Sequence, residues 1–496
     1  MHLSRRRALR AATAVPLAAA LALSAGGAVS AAAPADAGKA SPTGRPAAVQ
    51  PPGSFGADGT RPSTTAGWQP VQATPRLPLV SRDSIDWTVV DPTFAPLTGA
   101  GGAASTRVLS GVDAGAGYRI EVPLSGWNGD VVFYEHGYRG TGTRLTVDSP
   151  PFGLREHYIA KGYAWAASSY SANRYDIEAG ARSTESLAKL FDRLVAPADR
   201  RYLQGVSMGG HVIGALLERQ RGVQWDGAAP MCGVMGDQEL FDFFLSYNLA
   251  AQALAGVDAY PIPADYLRNA IPRIKVTLGL PGSGRALTQD GAELRALITE
   301  LTGGPRPGDD AAFTFWEGQT FVLGLLGSTP GGLDGVTPGS LATNATTDYP
   351  DVATVGTRPL DQVIERVAPA HQARRTGPSA YVPDIQGTFK VPVLSIHTLG
   401  DYFVPFSMEQ AYARDVAANG DPDLLVQRAI RAAGHCEFTP AEATAQFDDL
   451  VGWVERGVKP AGDDVRTRAV VAGATYGCAF TSASRAGTRA YYPPCA

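Results

Sequence analysis

Three residue types capable of joint chemistry stand along this chain in a telling order. Ser207 lies in Gly205-Val206-Ser207-Met208-Gly209-Gly210, which fits the pattern G-x-S-x-G. A turn that passes from strand to helix within so few residues leaves no space for side chains beside the serine, hence the glycines on either side. It raises the hydroxyl above the strand ends and aims the next helix N-terminus at the same point, where the helix dipole favours developing negative charge. In a chain with 57 glycines the pattern alone is weak, and a purely structural turn is its alternative. A strand before it and a helix after it make it specific.

A serine hydroxyl attacks a carbonyl only when a base takes its proton, and that base must be oriented by an acid. After a strand–Ser–helix turn, the acid and then the histidine follow in chain order. Asp401 lies in Thr398-Leu399-Gly400-Asp401-Tyr402-Phe403-Val404-Pro405, and His435 in Ala432-Ala433-Gly434-His435-Cys436. Each follows an apolar run that reads as a strand. The other histidines fit lesser roles. His211 is on the helix after Ser207 and is expected to point into packing, and His397 is expected to brace the acid loop. His371 could touch substrate, and His157 is a surface or packing residue. Glu437 is a rival for Asp401. A developing oxyanion needs two backbone donors, each worth ~3 kcal/mol of barrier. The N–H of Met208 is one candidate. The N–H of Tyr138, in Glu135-His136-Gly137-Tyr138-Arg139-Gly140, is the other, although these glycines could merely shape a turn.

The elements that must hold these groups follow from apolar patterning. Regular structure is expected from about Ile85. Tyr118–Val122 alternates apolar and polar residues, and Val131–Tyr134 is a short run of the kind buried in a parallel sheet. Tyr163–Ala167, Arg201–Gln204 and Gly227–Met231 read as further strands, with a helix over Ser183–Leu194. Strand–helix alternation predicts an α/β fold, a mostly parallel sheet with helices on both faces. Between Gly233 and Phe389 the pattern turns helical, over Asp237–Leu254, Ala264–Leu278, Ala292–Leu301, Ala311–Leu326 and Leu360–Arg374. The sheet pattern resumes at Val391–Ile396 and Leu424–Ile430. This predicts core parts over 81–232 and 390–457, interrupted by a helical cap over 233–389, with a C-terminal extension over 458–496. A separate helical domain remote from the site is the alternative for the insertion.

The N-terminus carries Ser4-Arg5-Arg6-Arg7-Ala8-Leu9-Arg10, an apolar run to about Ala25 and small residues around Ala28–Ala31. This predicts a twin-arginine-like signal peptide over 1–30, followed by a flexible Pro- and Gly-rich lead-in over 31–80. The apolar run is shorter than the roughly 20 residues a spanning helix needs, so no stable membrane insertion is expected after signal removal. Export makes the chain secreted and extracellular. A net charge of −4 offers no electrostatic reason to expect nucleic acid as a partner.

In an oxidising compartment the four cysteines allow three pairings. Cys478 and Cys495 are near one another and are expected to close a short loop, leaving Cys232 with Cys436. Four free thiols or a metal site is the alternative, but no C-x-x-C pair or Cys/His ligand spacing is present.

The set His136-Gly137-Tyr138, GVSMGG, GDYFVP and AGHCEF, in this order, resembles the α/β-hydrolase superfamily, particularly secreted actinobacterial esterase- and lipase-like members. The resemblance covers about 118–456 without the insertion. It implies Ser207 as nucleophile, His435 as base, Asp401 as acid, and Tyr138 and Met208 as oxyanion donors. Tannase and fungal feruloyl esterase families also place a cysteine after the catalytic histidine, bonded there to a cysteine just before the serine. Here Val206 occupies that second position, so the resemblance implies Cys232 as an analogous partner that clamps the histidine loop. A bond that merely stabilises the fold is the other reading.

The expected activity is hydrolysis of a small-molecule or polymeric carboxylic ester through an acyl-enzyme, with no metal or organic cofactor. A prolyl-type exopeptidase and a non-catalytic binding protein on a hydrolase scaffold are the alternatives. Phe241, Phe243, Phe244, Tyr247, Phe313, Phe315, Trp316 and Phe321 in the insertion are expected mainly as core. Any that line the entrance would favour bulky or apolar acyl groups.

Overall fold

Short apolar runs bounded by turns become the strands of one eight-stranded sheet. A computed structural model describes residues 71–72, 85–99, 102–219, 222–327, 341–369, 373–374 and 381–495. The expected signal segment, nearly all of the expected lead-in, and His371 lie outside the described residues. The strands are β1 (Thr106–Asp113), β2 (Ala116–Pro123), β3 (Val131–Glu135), β4 (Ala164–Ser168), β5 (Arg201–Val206), β6 (Gly227–Met231), β7 (Val393–Thr398) and β8 (Leu425–Ile430). Their order across the sheet is β1-β2-β4-β3-β5-β6-β7-β8. All pairs from β4 to β8 are parallel, whereas β2 runs antiparallel to both β1 and β4.

Successive strand residues point to opposite faces, and both faces here are covered. Phe133, Leu203 and Ala228 pack in one apolar cluster with Phe191 of α2 (Ile177–Leu194) and Ile213 of α3 (Met208–Arg219). Val132, Tyr202 and Leu394 pack on the other face with Tyr158 of α1 (Leu154–Ala160) and Phe447 of α11 (Pro440–Arg456). Burial on two faces explains why β3, β4 and β6 carry no alternation and are buried at every position. The expected mostly parallel sheet with helices on both faces is therefore present. Helix α2 begins earlier than its apolar pattern suggested. The Asp176 side chain accepts from the N–H of Ala179 and caps it there.

Between β6 and β7 the chain forms α4 (Glu239–Ala255), α5 (Tyr266–Leu278), α6 (Gln289–Leu301), α7 (Asp309–Gly318), α8 (Phe321–Gly327) and α9 (Leu360–Val363). The apolar cluster on the α3 face continues into these helices through Phe241, Phe244, Ile274 and Leu323. Two expected helices differ. Ala311–Leu326 is broken between α7 and α8, where Thr320 takes a left-handed φ of 56°. Lys275 Nζ holds the break by donating to the Glu317 carbonyl and to Thr320 Oγ1, at 2.5 and 2.7 Å. Among its described residues, the stretch Leu360–Arg374 is helical only to Val363. Ile364 is extended, and Arg366 instead donates to the carbonyls of Asn344 and Thr347. Side-chain bonding wins there over helical continuation.

Helix α10 (Ser407–Asn419) connects β7 to β8. Beyond α11 the chain forms α12 (Arg468–Val471) and a 3-10 turn at Gly487–Tyr491. Disulfides join Cys232 to Cys436 and Cys478 to Cys495, the expected pairs.

Candidate active site

Four loops leave the C-terminal ends of parallel strands β3, β5, β7 and β8 and converge. The β5 loop is the shortest: Val206 ends the strand and Met208 begins α3. Ser207 alone makes the reversal, with φ of 56°, a left-handed conformation that costs energy outside glycine. Its backbone is fully engaged, the N–H donating to Met231 O at 3.0 Å and the carbonyl accepting from Gly210 and Val234. Gly209 is obligatory, because a Cβ there would run into the Glu135 carbonyl.

His435, after β8, lies between the two other candidates. A carboxylate only accepts, so Nδ1–H of His435 donates to Asp401 Oδ2, at 2.6 Å. Nε2 is then the free acceptor, and Ser207 Oγ lies 2.9 Å from it. Asp401 is completely buried, and its Oδ1 accepts from the N–H groups of Phe403 and Val404 at 2.8 and 3.0 Å. The His435 side chain keeps 17% of its exposure, so the imidazole is reachable from outside. Phe403 stands edge-on to the imidazole, with Phe321 and Phe244 packed on it in turn.

The β3 loop passes directly over the serine. A Cβ on Gly137 would be 3.2 Å from Ser207 Cβ, so only glycine allows this approach without displacement. Met208 and Tyr138 follow Ser207 and Gly137 in sequence. Among the described residues neither of their amides donates to a backbone acceptor. The loop is fixed from below. His136 stacks on Tyr170 at 3.9 Å, and its Nδ1–H donates to the Gly137 carbonyl at 2.7 Å. Burial, with help from the nearby Arg139 charge, lowers its pKa to about 3, so it is neutral. Glu135 is buried beneath the turn. Burial raises its pKa to about 7, only partly offset by its bonds from Thr184 and Tyr170.

The rival residues have other occupations. His211 donates to Pro383 O at 2.8 Å and accepts from Tyr175 OH at 3.2 Å; burial lowers its pKa to about 4. His397 donates to Val404 O at 2.8 Å and so braces the acid loop. Burial works against its charge, yet the adjoining Glu409 carboxylate and the Asp401 charge raise its pKa on balance. His157 pairs with Asp448 on α11. Glu437 is directed away from the imidazole, towards the N–H and hydroxyl of Thr488.

Cys436 takes a left-handed φ of 53° beside His435, and its sulfur lies 3.4 Å from His435 Nε2. Cys232, His435 and Cys436 form a compact group of metal-ligand types among the described residues. The two sulfurs are bonded to one another, however, so neither is available as a thiolate ligand.

One contributor was expected from the sequence mainly as core. The indole N–H of Trp316 on α7 is shared between Gly400 O and Ala433 O, at 2.8 and 2.9 Å. It thus ties the acid loop to the histidine loop from within the helical stretch. The available signal was chemical: a buried indole N–H needs an acceptor.

No protein-family model matches this chain. A 77-residue stretch is 34% identical to o-phthalyl amidase from Xanthobacter agilis, and this match spans 16% of the chain and 17% of that protein. Among solved structures, an esterase from Aspergillus oryzae is 14% identical, with 79% of this chain and 86% of that one covered at a TM-score of 0.41. Feruloyl esterase B from Aspergillus oryzae is 13% identical, covering 75% and 86% at a TM-score of 0.40. A proline iminopeptidase-related protein from Thermus thermophilus is 14% identical, covering 71% and 99% at a TM-score of 0.35. The chain's own sheet order, its antiparallel second strand and the tight β5–Ser207–α3 turn define it as a protein of the α/β-hydrolase fold.

Proposed function

We propose that this chain is a serine hydrolase that cleaves carboxylic esters by acyl transfer to water. The observation that carries this reading is His435, hydrogen-bonded on one side to buried Asp401 and on the other to Ser207. In the proposed mechanism His435 Nε2 takes the Ser207 proton as Oγ attacks the carbonyl. Asp401 stabilises the imidazolium, and the N–H groups of Met208 and Tyr138 bind the oxyanion. The imidazolium returns its proton to the departing alcohol. Water, activated by the same imidazole, then resolves the acyl-enzyme. These steps draw on no metal or organic cofactor.

Helices α4–α8 act in this reading as a cap. Phe244, Phe321 and Phe403 near the base form an apolar wall that suits a bulky or aromatic group on the substrate. Two disulfides are compatible with an extracellular site of action. Among the described residues no helix is long and apolar enough to cross a membrane. Amide hydrolysis is the second reading, favoured by the short match to an amidase.

A fluorophosphonate probe tests the catalytic claim. Labelling of the wild type at Ser207 and its loss in Ser207→Ala are expected; folded protein that takes no label would sink the reading. Paired esters and anilides of one aromatic acid then separate the two substrate classes, with higher kcat/KM on the ester expected.

A further inference from the structure

We propose that the C-terminal segment 458–495 is a working part of this active site, with Thr488 as the residue that positions the histidine loop. The inference rests on the reading of His435 as the base. The loop from Ala432 to Glu437 makes few bonds that hold its own shape, and it contains the left-handed Cys436. The tail supplies what it lacks. Thr488 Oγ1 accepts from the N–H of Ala433 at 2.6 Å and from the N–H of Gly434 at 3.0 Å, the two residues before His435. The same hydroxyl donates to Glu437 Oε2 at 2.5 Å, and Thr488 N–H donates to Glu437 Oε1 at 2.9 Å. One side chain therefore grips the loop on both sides of the imidazole.

Its neighbours extend the grip. Tyr492 OH donates to Ala432 O at 3.0 Å, and Arg489 Nη2 donates to Glu437 O at 2.6 Å. Thr488, Arg489 and Tyr492 are each at most 8% exposed, so water does not substitute for them. Arg489 is anchored by both carboxylate oxygens of Glu442, the residue that also completes the N-terminal capping box of α11. Arg431, just before the loop, donates to the carbonyls of Ala474, Tyr476 and Pro493, so it ties the middle of the tail and its C-terminal end. The Cys478–Cys495 bond closes the last part of this segment, from 478 to 495, into a ring.

The physical consequence is alignment. Proton transfer from Ser207 depends on where the imidazole lies, and small displacements of such a group are costly. With the Thr488 hydroxyl removed, a buried N–H (Ala433) and a half-buried one (Gly434) lose their acceptor and the loop must move to find others. Thr488 touches neither substrate nor the reacting atoms, and it acts through the loop alone.

The test compares Thr488→Val, which keeps the shape and removes the hydroxyl, with Thr488→Ser, which keeps the hydroxyl. Both are made in the full chain. The readouts are the rate constant for fluorophosphonate labelling of Ser207, kcat and KM on an ester, and circular dichroism. Thr488→Val is expected to lower kcat and the labelling rate about tenfold with KM within about twofold, and Thr488→Ser to stay near wild type. Wild-type rates in folded Thr488→Val, or equal losses in both variants, overturn the proposal. Should Thr488→Val not fold, Tyr492→Phe removes one loop bond and is expected to lower kcat about threefold at unchanged KM; wild-type kcat there overturns the proposal. If wild-type protein itself takes no label, the catalytic reading falls and this inference falls with it. If wild type is labelled and Thr488→Val is labelled as fast, only this inference falls.

Discussion

The ring of Phe403 stands edge-on to the imidazole of His435, with centroids 5.0 Å apart and planes at 66°. Phe403 also donates its N–H to Asp401, so one residue holds the Asp401 carboxylate and borders the His435 ring. Its ring is partly exposed and backed by Phe321 at 4.9 Å. Under the proposed function this ring contacts the substrate. Phe403→Ala is expected to lower kcat/KM for methyl benzoate about twofold to tenfold more than for methyl acetate, the range expected for one lost aromatic pair. Rates from pH-stat titration check this, and an equal loss on both esters would remove Phe403 from substrate binding.

Trp316 spans the acid and histidine loops through a single N–H. Trp316→Phe keeps most of the ring and deletes that donor, leaving two buried carbonyls short of a partner. Stability is expected to fall by about 1–3 kcal/mol and kcat about tenfold, with a smaller change in KM. Urea titration and steady-state kinetics read the two effects separately. Unchanged kcat in a destabilised variant would reduce Trp316 to a packing role.

The Cys232–Cys436 bond joins residues 204 apart in sequence and ends beside His435. Replacing both cysteines by alanine is expected to destabilise the fold by about 2–5 kcal/mol, the usual range for loss of a native disulfide. It is also expected to lower the rate of Ser207 labelling under conditions where the variant remains folded. A variant that labels at the wild-type rate would make the bond a stabiliser of the fold and no clamp on the base.

Burial raises the Glu135 carboxyl from 4.5 to about 7. Between these values the folded chain holds a proton that the unfolded chain has released, so folding takes one up. The resulting stability is fully present below pH 4.5 and is lost as pH rises through 7. Glu135→Gln cannot ionise and lacks this dependence. The stability of wild type minus that of Glu135→Gln is expected to fall by roughly 2–3 kcal/mol between pH 4.5 and pH 8.5, at 1.4 kcal/mol per pKa unit. Urea titrations at several pH values measure it, and a constant difference would show that folding leaves the Glu135 carboxyl unshifted.

Much of this arrangement was legible in the linear chain. Strands buried on both faces write themselves as short apolar runs, and the turn at Ser207 demands glycine at fixed offsets. Chain order then singled out Asp401 and His435, because parallel strands deliver successive loops to one end of a sheet. Helix limits were less legible. The break at Thr320 depends on Lys275, and the early end of α9 depends on Asn344 and Thr347, all distant in sequence.

Residue types and periodicity thus determined the sheet, the tight turn and the three groups capable of joint chemistry. Tertiary structure alone decided what holds those groups in place. The Trp316 N–H meets carbonyls 84 and 117 residues away, and the Thr488 hydroxyl meets an amide 55 residues away. No local pattern encodes such pairs. A buried donor or acceptor requires only that some partner be present, and which partner it finds depends on the loops that the folded sheet brings beside it.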